Sequence, residues 1–162
     1  MKRVGAIVCA LAIALGIGSS RALAAQEPDA NWTVVSETTE YYEDGTFATV
    51  VIKEQPAMTR ATSSKTGSKT YSRKDSDGSV IWQFTEKGTF SVNQGVSATC
   101  TAASHTVKIV DTAWKNTEAT SKKSGNQAIG DATFKKKLLG LITTDTKTCH
   151  VVLTCDKNGK LS

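Results

Sequence analysis

Short runs of β-branched residues, separated by Asp-Gly and Asn-Gly turn signals, recur along nearly the whole of this chain. Residues of this type favour extended backbone, and Asp-Gly and Asn-Gly accept the positive φ angles of tight hairpin turns. Proline interrupts only at Pro28 and Pro56. The pattern predicts strands over residues 32–39 and 47–54, joined through Glu43-Asp44-Gly45-Thr46. A Ser/Thr/Lys-rich link over 59–67 leads to strands at 68–74 and 80–85, which flank Asp75-Ser76-Asp77-Gly78. Further strands follow over 89–96, 105–110 and 114–121, then, after Ser124-Gly125-Asn126, over 128–136 and 143–155. A turn at Asp156-Lys157-Asn158-Gly159 closes the series. About eight or nine short strands predict an all-β fold, a single antiparallel β-sandwich.

The first 24 residues have a different character. Lys2 and Arg3 precede fifteen apolar and small residues, Val4 to Gly18, and Ala22-Leu23-Ala24 supplies small residues for signal-peptidase cleavage. As a helix that run rises roughly 22 Å, at about 1.5 Å per residue, short of the roughly 30 Å of a bilayer core. Residues 1–24 are therefore expected to be a secretory signal peptide and 25–162 one secreted, extracellular domain with no transmembrane segment.

Removing the leader takes Lys2, Arg3 and Arg21 with it, which leaves seventeen basic against fifteen acidic side chains. So small an excess argues against nucleic acid as a partner. The remaining charge is divided. Residues 25–58 hold seven acids against Lys53, whereas sixteen of the basic residues follow Met58. Such segments usually pair with each other or are solvated.

The leader also removes Cys9, leaving Cys100, Cys149 and Cys155 in a compartment that permits disulfides. Six residues of one strand would place Cys149 and Cys155 roughly 20 Å apart, far beyond the roughly 7 Å a bridge spans. Any bridge within the chain then uses Cys100. Cys155 ends its strand beside a turn, where a second segment can approach, so Cys100–Cys155 is the expected disulfide and Cys149 the free thiol. Closing a loop of about 55 residues contributes roughly 4 kcal/mol on a chain-entropy account. Cys100, His105, Cys149 and His150 match no common zinc spacing, and no metal or cofactor is expected.

No catalytic constellation stands out. The two histidines, His105 and His150, lie in no nucleophile-elbow or zinc-protease motif. Asp75-Ser76-Asp77-Gly78 lacks the remaining ligands of a calcium loop and reads as a turn. Glu37, Glu40 and Glu43 offer carboxylates of the kind glycoside hydrolysis uses, on one acidic strand. Trp32, Trp82 and Trp114 lie among β-branched residues, as core residues do. An exposed Trp32 with Tyr41 or Tyr42 would instead form a sugar-stacking platform, and these three are the candidate ligand contacts. Lys122-Lys123 and Lys135–Lys137 offer charge for anionic polymers, or protect strand edges. In residues 134–142 the apolar positions fit a basic amphipathic helix of membrane-surface type, but Gly140 and the flanking strand character favour a strand end and hairpin.

Across residues 67–162, Tyr71, Asp77-Gly78, Ile81-Trp82, Gly88-Thr89-Phe90, Thr99-Cys100-Thr101, Ala103-Ser104 and Trp114 resemble an uncharacterised family of small secreted proteins from Gram-positive gut bacteria, a domain of unknown function. So do Lys123-Ser124-Gly125-Asn126, Ala132-Thr133, Lys135-Lys136-Lys137, Gly140 and Leu153-Thr154-Cys155-Asp156 with Asn158-Gly159. The resemblance implies an all-β fold and recurring cysteines that correspond to Cys100 and Cys155. Cys149 departs from the pattern, and no active site is carried over.

The expected function is that of a secreted, non-catalytic extracellular binding or surface-interaction module whose ligand the sequence does not identify, a glycan or cell-surface polymer being the candidate class. The alternatives are a secreted hydrolase acting on carbohydrate and a membrane-active or antimicrobial protein using residues 134–142. The sequence leans against an enzyme.

Overall fold

The computed structural model describes residues 31–56 and 63–162, so the expected leader lies outside the described residues. Eight strands follow one another: β1 (Thr33–Tyr41), β2 (Phe47–Glu54), β3 (Ser63–Lys74), β4 (Val80–Asn93), β5 (Ser97–Ile109), β6 (Trp114–Ser124), β7 (Gln127–Leu138) and β8 (Ile142–Thr154). They form two antiparallel sheets, β1-β2-β3-β4-β5 and β6-β7-β8, with each strand paired to its sequence neighbour. The expected all-β, sandwich-like architecture is thus what the chain adopts. Among the described residues no helix is long and apolar enough to cross a membrane.

The chain passes between sheets at one corner. Beyond β5 the amides of Val110 and Asp111 both donate to the Ile81 carbonyl, and the Asp111 carboxylate accepts from the Ala113 amide. That Asx-type turn reverses the backbone in four residues and starts β6 at the buried Trp114.

Alternation along the strands decides which residues meet. In register across the first sheet, Arg73, Trp82 and Ile109 share one face, as do Tyr71, Phe84 and Val107, and Lys69, Glu86 and His105. Opposite them, β7 and β8 present Ala128, Ala132, Phe134, Cys149, Val151 and Leu153, all buried. Two apolar clusters result. One holds Trp82, Phe84, Trp114, Ala132, Phe134, Cys149 and Val151, and the other holds Ile52, Phe90, Val92, Cys100, Ala128, Leu153, Cys155 and Leu161.

Between the clusters the sheets meet through glycines. A Cβ on Gly88 would lie 2.7 Å from the Phe90 ring and 3.0 Å from Ala128 Cβ. One on Gly130 would lie 2.6 Å from Phe84 and collide with the Glu86 carboxylate. A break expected at Gly88 is therefore absent. Residues 80–85 and 89–96, read from sequence as two strands, belong largely to the single strand β4, because Gly88 serves close packing rather than a turn. The turn lies later, where Val96 N–H donates to the Asn93 carbonyl and Gly95 has a φ of 75°. The link expected over 59–67 is likewise already strand from Ser63. Its absence of apolar alternation hid the pairing to β4.

Candidate functional site

At the end of the sandwich where β1 meets β2 and β3 meets β4, a cavity of about 570 Å³ opens among Tyr42, Glu43, Asp44, Tyr71, Arg73, Trp82 and residues 146–148. The local sequence explains each position. Gly45, at a φ of 78°, lets the chain turn, and the Asp44 carboxylate accepts the Thr46 amide at 3.0 Å, which fixes the turn. Tyr42 is thereby carried over the end of β3. Its hydroxyl lies 2.7 Å from that of Tyr71 and donates to Glu40 at 3.1 Å. Burial, with these partners, holds the Tyr42 hydroxyl protonated well above the ordinary tyrosine range.

Arg73 is the buried cation of the site, 5 % exposed. Its guanidinium stacks over the Tyr42 ring, 3.7 Å from the centroid, and donates to Asp44 Oδ2 at 3.0 Å. Hydrogen bonds from Thr46, and then the charges of Arg73 and Lys147, hold the Asp44 carboxyl below the usual carboxylate range. Lys147 approaches Asp44 at 3.8 Å and Asp145 at 3.4 Å. A charge pair with this many donors remains ionised, which makes Asp44 an anchor rather than a proton donor.

The floor is an aromatic stack. Tyr71 stacks on Trp82 with centroids 5.6 Å apart, and Trp82 stacks on Phe134 at 3.8 Å and 9°. The Trp82 ring is thus packed between a side chain of its own sheet and one of the other. Its Nε1 is buried without an acceptor among the described residues, a deficit worth roughly 1–3 kcal/mol for a buried donor.

The expected contacts are dispersed. Tyr42 lines the cavity; Tyr41 is 78 % exposed and packs at a tilt against Phe47, with ring centroids 5.5 Å apart. Trp32 lies at the far end of β1, with Lys87 Nζ 5.6 Å from its ring centroid. The three do not form one platform. Glu37 and Glu40, three residues apart on β1, fall on opposite faces of the strand, and only Glu43 of the three glutamates lines the cavity. His105 stacks on Phe84 inside the sandwich, whereas His150 pairs with Asp131 at 2.6 Å on the outer surface.

Sequence reading missed Tyr71, Arg73 and Lys147. The available signal was period two: Lys69, Tyr71 and Arg73 alternate on the inner face of β3, an unusual place for two cations. A second groove, of about 650 Å³, runs between β1–β2 and the C-terminal residues, lined by Val35, Val50, Ile52 and Leu161 with Lys69 and Lys160. Ser36, Thr38 and Ser162 line it too, but among the described residues it holds no aromatic ring and no ion pair.

The three thiols are free and buried. Cys100 and Cys155 share one apolar cluster, and Cys149 sits in the other. Cys100 N–H donates to the Gly125 carbonyl at 2.8 Å and Cys155 N–H to that of Asn126 at 3.0 Å, so both cysteines are bonded to consecutive residues of the β6–β7 turn. Burial pushes the Cys155 thiol up to about 11 and Cys149 up to about 12.

No protein-family model, curated protein or solved structure matches the chain.

Proposed function

We propose that this chain is a secreted, non-catalytic binding module that holds a polar, hydroxyl-rich ligand of the glycan class in the Tyr42–Arg73–Lys147 cavity. One observation carries the reading. A hydroxyl pair and an Arg–Asp–Lys charge cluster converge on a single concave site that Trp82 also lines. Sugars are recognised by this combination of bidentate charged groups, hydroxyls and aromatic surface. Glu43 and Lys147 at the rim extend the hydrogen-bonding capacity outward. Hydrolysis fits less well, because Asp44 is committed to Arg73 and neither Glu37 nor His105 reaches the site.

A glycan array with the purified protein is the direct test. Retention of a defined glycan, weakened at least tenfold by Tyr42→Phe with Lys147→Ala and with unchanged circular dichroism, is the expected result. Flat binding across host and bacterial glycans would remove the proposal.

Export and the resemblance of residues 67–162 to secreted proteins belong to the same reading, as does oxidation of Cys100 and Cys155. The bridge would form by exchange with an oxidised dithiol–disulfide donor: one S–S bond forms in the protein, one breaks in the donor, and two thiols leave reduced. Since burial raises the Cys100 and Cys155 thiols, little thiolate exists in the folded state, and oxidation belongs before the sandwich closes. Peptide mapping of protein from the medium is expected to give a Cys100–Cys155 peptide pair and an alkylation-resistant Cys149. A bridge involving Cys149 would contradict the pairing.

A further inference from the structure

The hairpin joining β7 to β8 ends in Leu138-Leu139-Gly140-Leu141, and the four large apolar residues Leu138, Leu139, Leu141 and Ile142 are 54, 89, 83 and 61 % exposed. Six of the nine large apolar residues exposed among the described positions lie at this end of the sandwich, the other two being Tyr41 and Val110. The helical alternative for residues 134–142 is overturned: they form the end of β7, a two-residue turn and the start of β8. Sheet pairing and the Gly140 turn account for that outcome.

The turn residue itself is the anomaly. Leu139 has a φ of 51° and Gly140 of 75°, with Leu141 N–H donating to the Leu138 carbonyl at 3.1 Å. Two consecutive positive φ angles define a type I′ turn, whose first position suits Asn, Asp or Gly and strains a branched apolar side chain. Leu139 therefore serves neither the backbone nor the core. The last tie to β6 is Lys137 N–H to the Ala113 carbonyl, at 2.7 Å, so the tip projects beyond its sheet neighbour. Two residues of strand reach about 7 Å, comparable to the depth at which interfacial apolar groups enter a bilayer.

Immediately behind the tip stand Lys135, Lys136 and Lys137, which alternate between the two faces of β7, and residues 134–144 contain no acid. Asp145, the first acid beyond, is paired with Lys147. Glu43, Asp75, Asp77 and Asp111 lie on neighbouring turns and oppose a flat approach, which restricts contact to the tip. We infer that the β7–β8 tip is a membrane-surface anchor, in which Leu139 and Leu141 enter the interface of an anionic bilayer while the three lysines meet its headgroups. Apolar insertion backed by a basic collar is the pairing such surfaces recognise. The inference is independent of the glycan cavity, which a soluble ligand reports separately.

Vesicle co-sedimentation of the purified protein tests it, with phosphatidylglycerol–phosphatidylcholine and pure phosphatidylcholine vesicles. The protein is expected to sediment with the anionic vesicles, more weakly with the neutral ones, and less as salt is raised. Leu139→Asn with Leu141→Ser should reduce the partition at least tenfold. Leu139→Asn alone should raise the thermal midpoint by a few degrees, since Asn-Gly relieves the turn. Replacing the three lysines by Gln should abolish the preference for anionic vesicles. Failure of the wild-type protein to sediment with either vesicle, or unchanged sedimentation of the Leu139/Leu141 variant, would overturn the anchor. Retention instead by a protein or by a wall polymer without lipid would do the same.

Discussion

Phe134→Ala is expected to destabilise the fold by about 4 kcal/mol, the middle of the range for emptying a fully buried aromatic site. Phe134 has no exposed surface and lies 3.8 Å from Trp82, nearly parallel to it. Trp82 in turn supports Tyr71, and Tyr71 holds the Tyr42 hydroxyl. The cavity floor is thus one continuous stack running from the second sheet through the first to the β1–β2 turn. Removing its base should lower the urea midpoint and weaken the near-ultraviolet dichroism of Trp82 in the remaining folded protein. A loss below about 1.5 kcal/mol would mean that the surrounding strands collapse into the space, a response close-packed sheets rarely allow.

Stability should also fall as pH rises from about 4.5 to 7, by on the order of 3 kcal/mol, through one residue. Glu86 has no exposed surface, and burial pushes its carboxyl up to about 7, against the opposing hydrogen bond from Ser121. Its second carboxylate oxygen has no hydrogen-bond partner among the described residues. Lys69 and His105 stand in register on either side, but the Lys69 ammonium donates to the Val152 carbonyl at 3.0 Å instead. Asp131, on the neighbouring strand of the other sheet, adds a like charge. Because the folded-state value lies above the unfolded one, the protonated acid is the form the fold favours. Its stabilisation is complete below the unfolded value and is lost as pH passes through the folded value. Glu86→Gln should flatten urea-midpoint profiles between pH 4.5 and 8. An unchanged slope in that variant would place the dependence elsewhere.

Much of the fold was legible because turns and alternation are local. Asp44-Gly45, Asp77-Gly78 and Gly125-Asn126 mark hairpin turns that the structure contains, and β2 has the bounds the pattern suggested. Gly88 misled because a glycine in sequence does not distinguish a turn from a close approach of two sheets. The site was legible only in Tyr42 and Glu43. Arg73 and Lys147 sit on different sheets, 74 residues apart, and they meet at Asp44 only through the register of β2 on β3 and the closure of β8 over them. Pairing of that range leaves no local pattern. The exposed tip, by contrast, was visible as an apolar run beside lysines. Its geometry was ambiguous because a short stripe fits both a helix and a hairpin.

The central claim is that the Tyr42–Arg73–Lys147 cavity binds a ligand of the glycan class, and the Trp82 indole is its natural reporter. In a titration followed by nitrogen–proton NMR, an array-positive glycan should shift the Trp82 Nε1–H resonance, together with the amides of Asp44, Arg73 and Lys147. The Trp32 indole, at the other end of β1, should stay in place. A titration that moves Trp32, or the Val35–Ile52 groove, and leaves Trp82 unchanged would contradict the account.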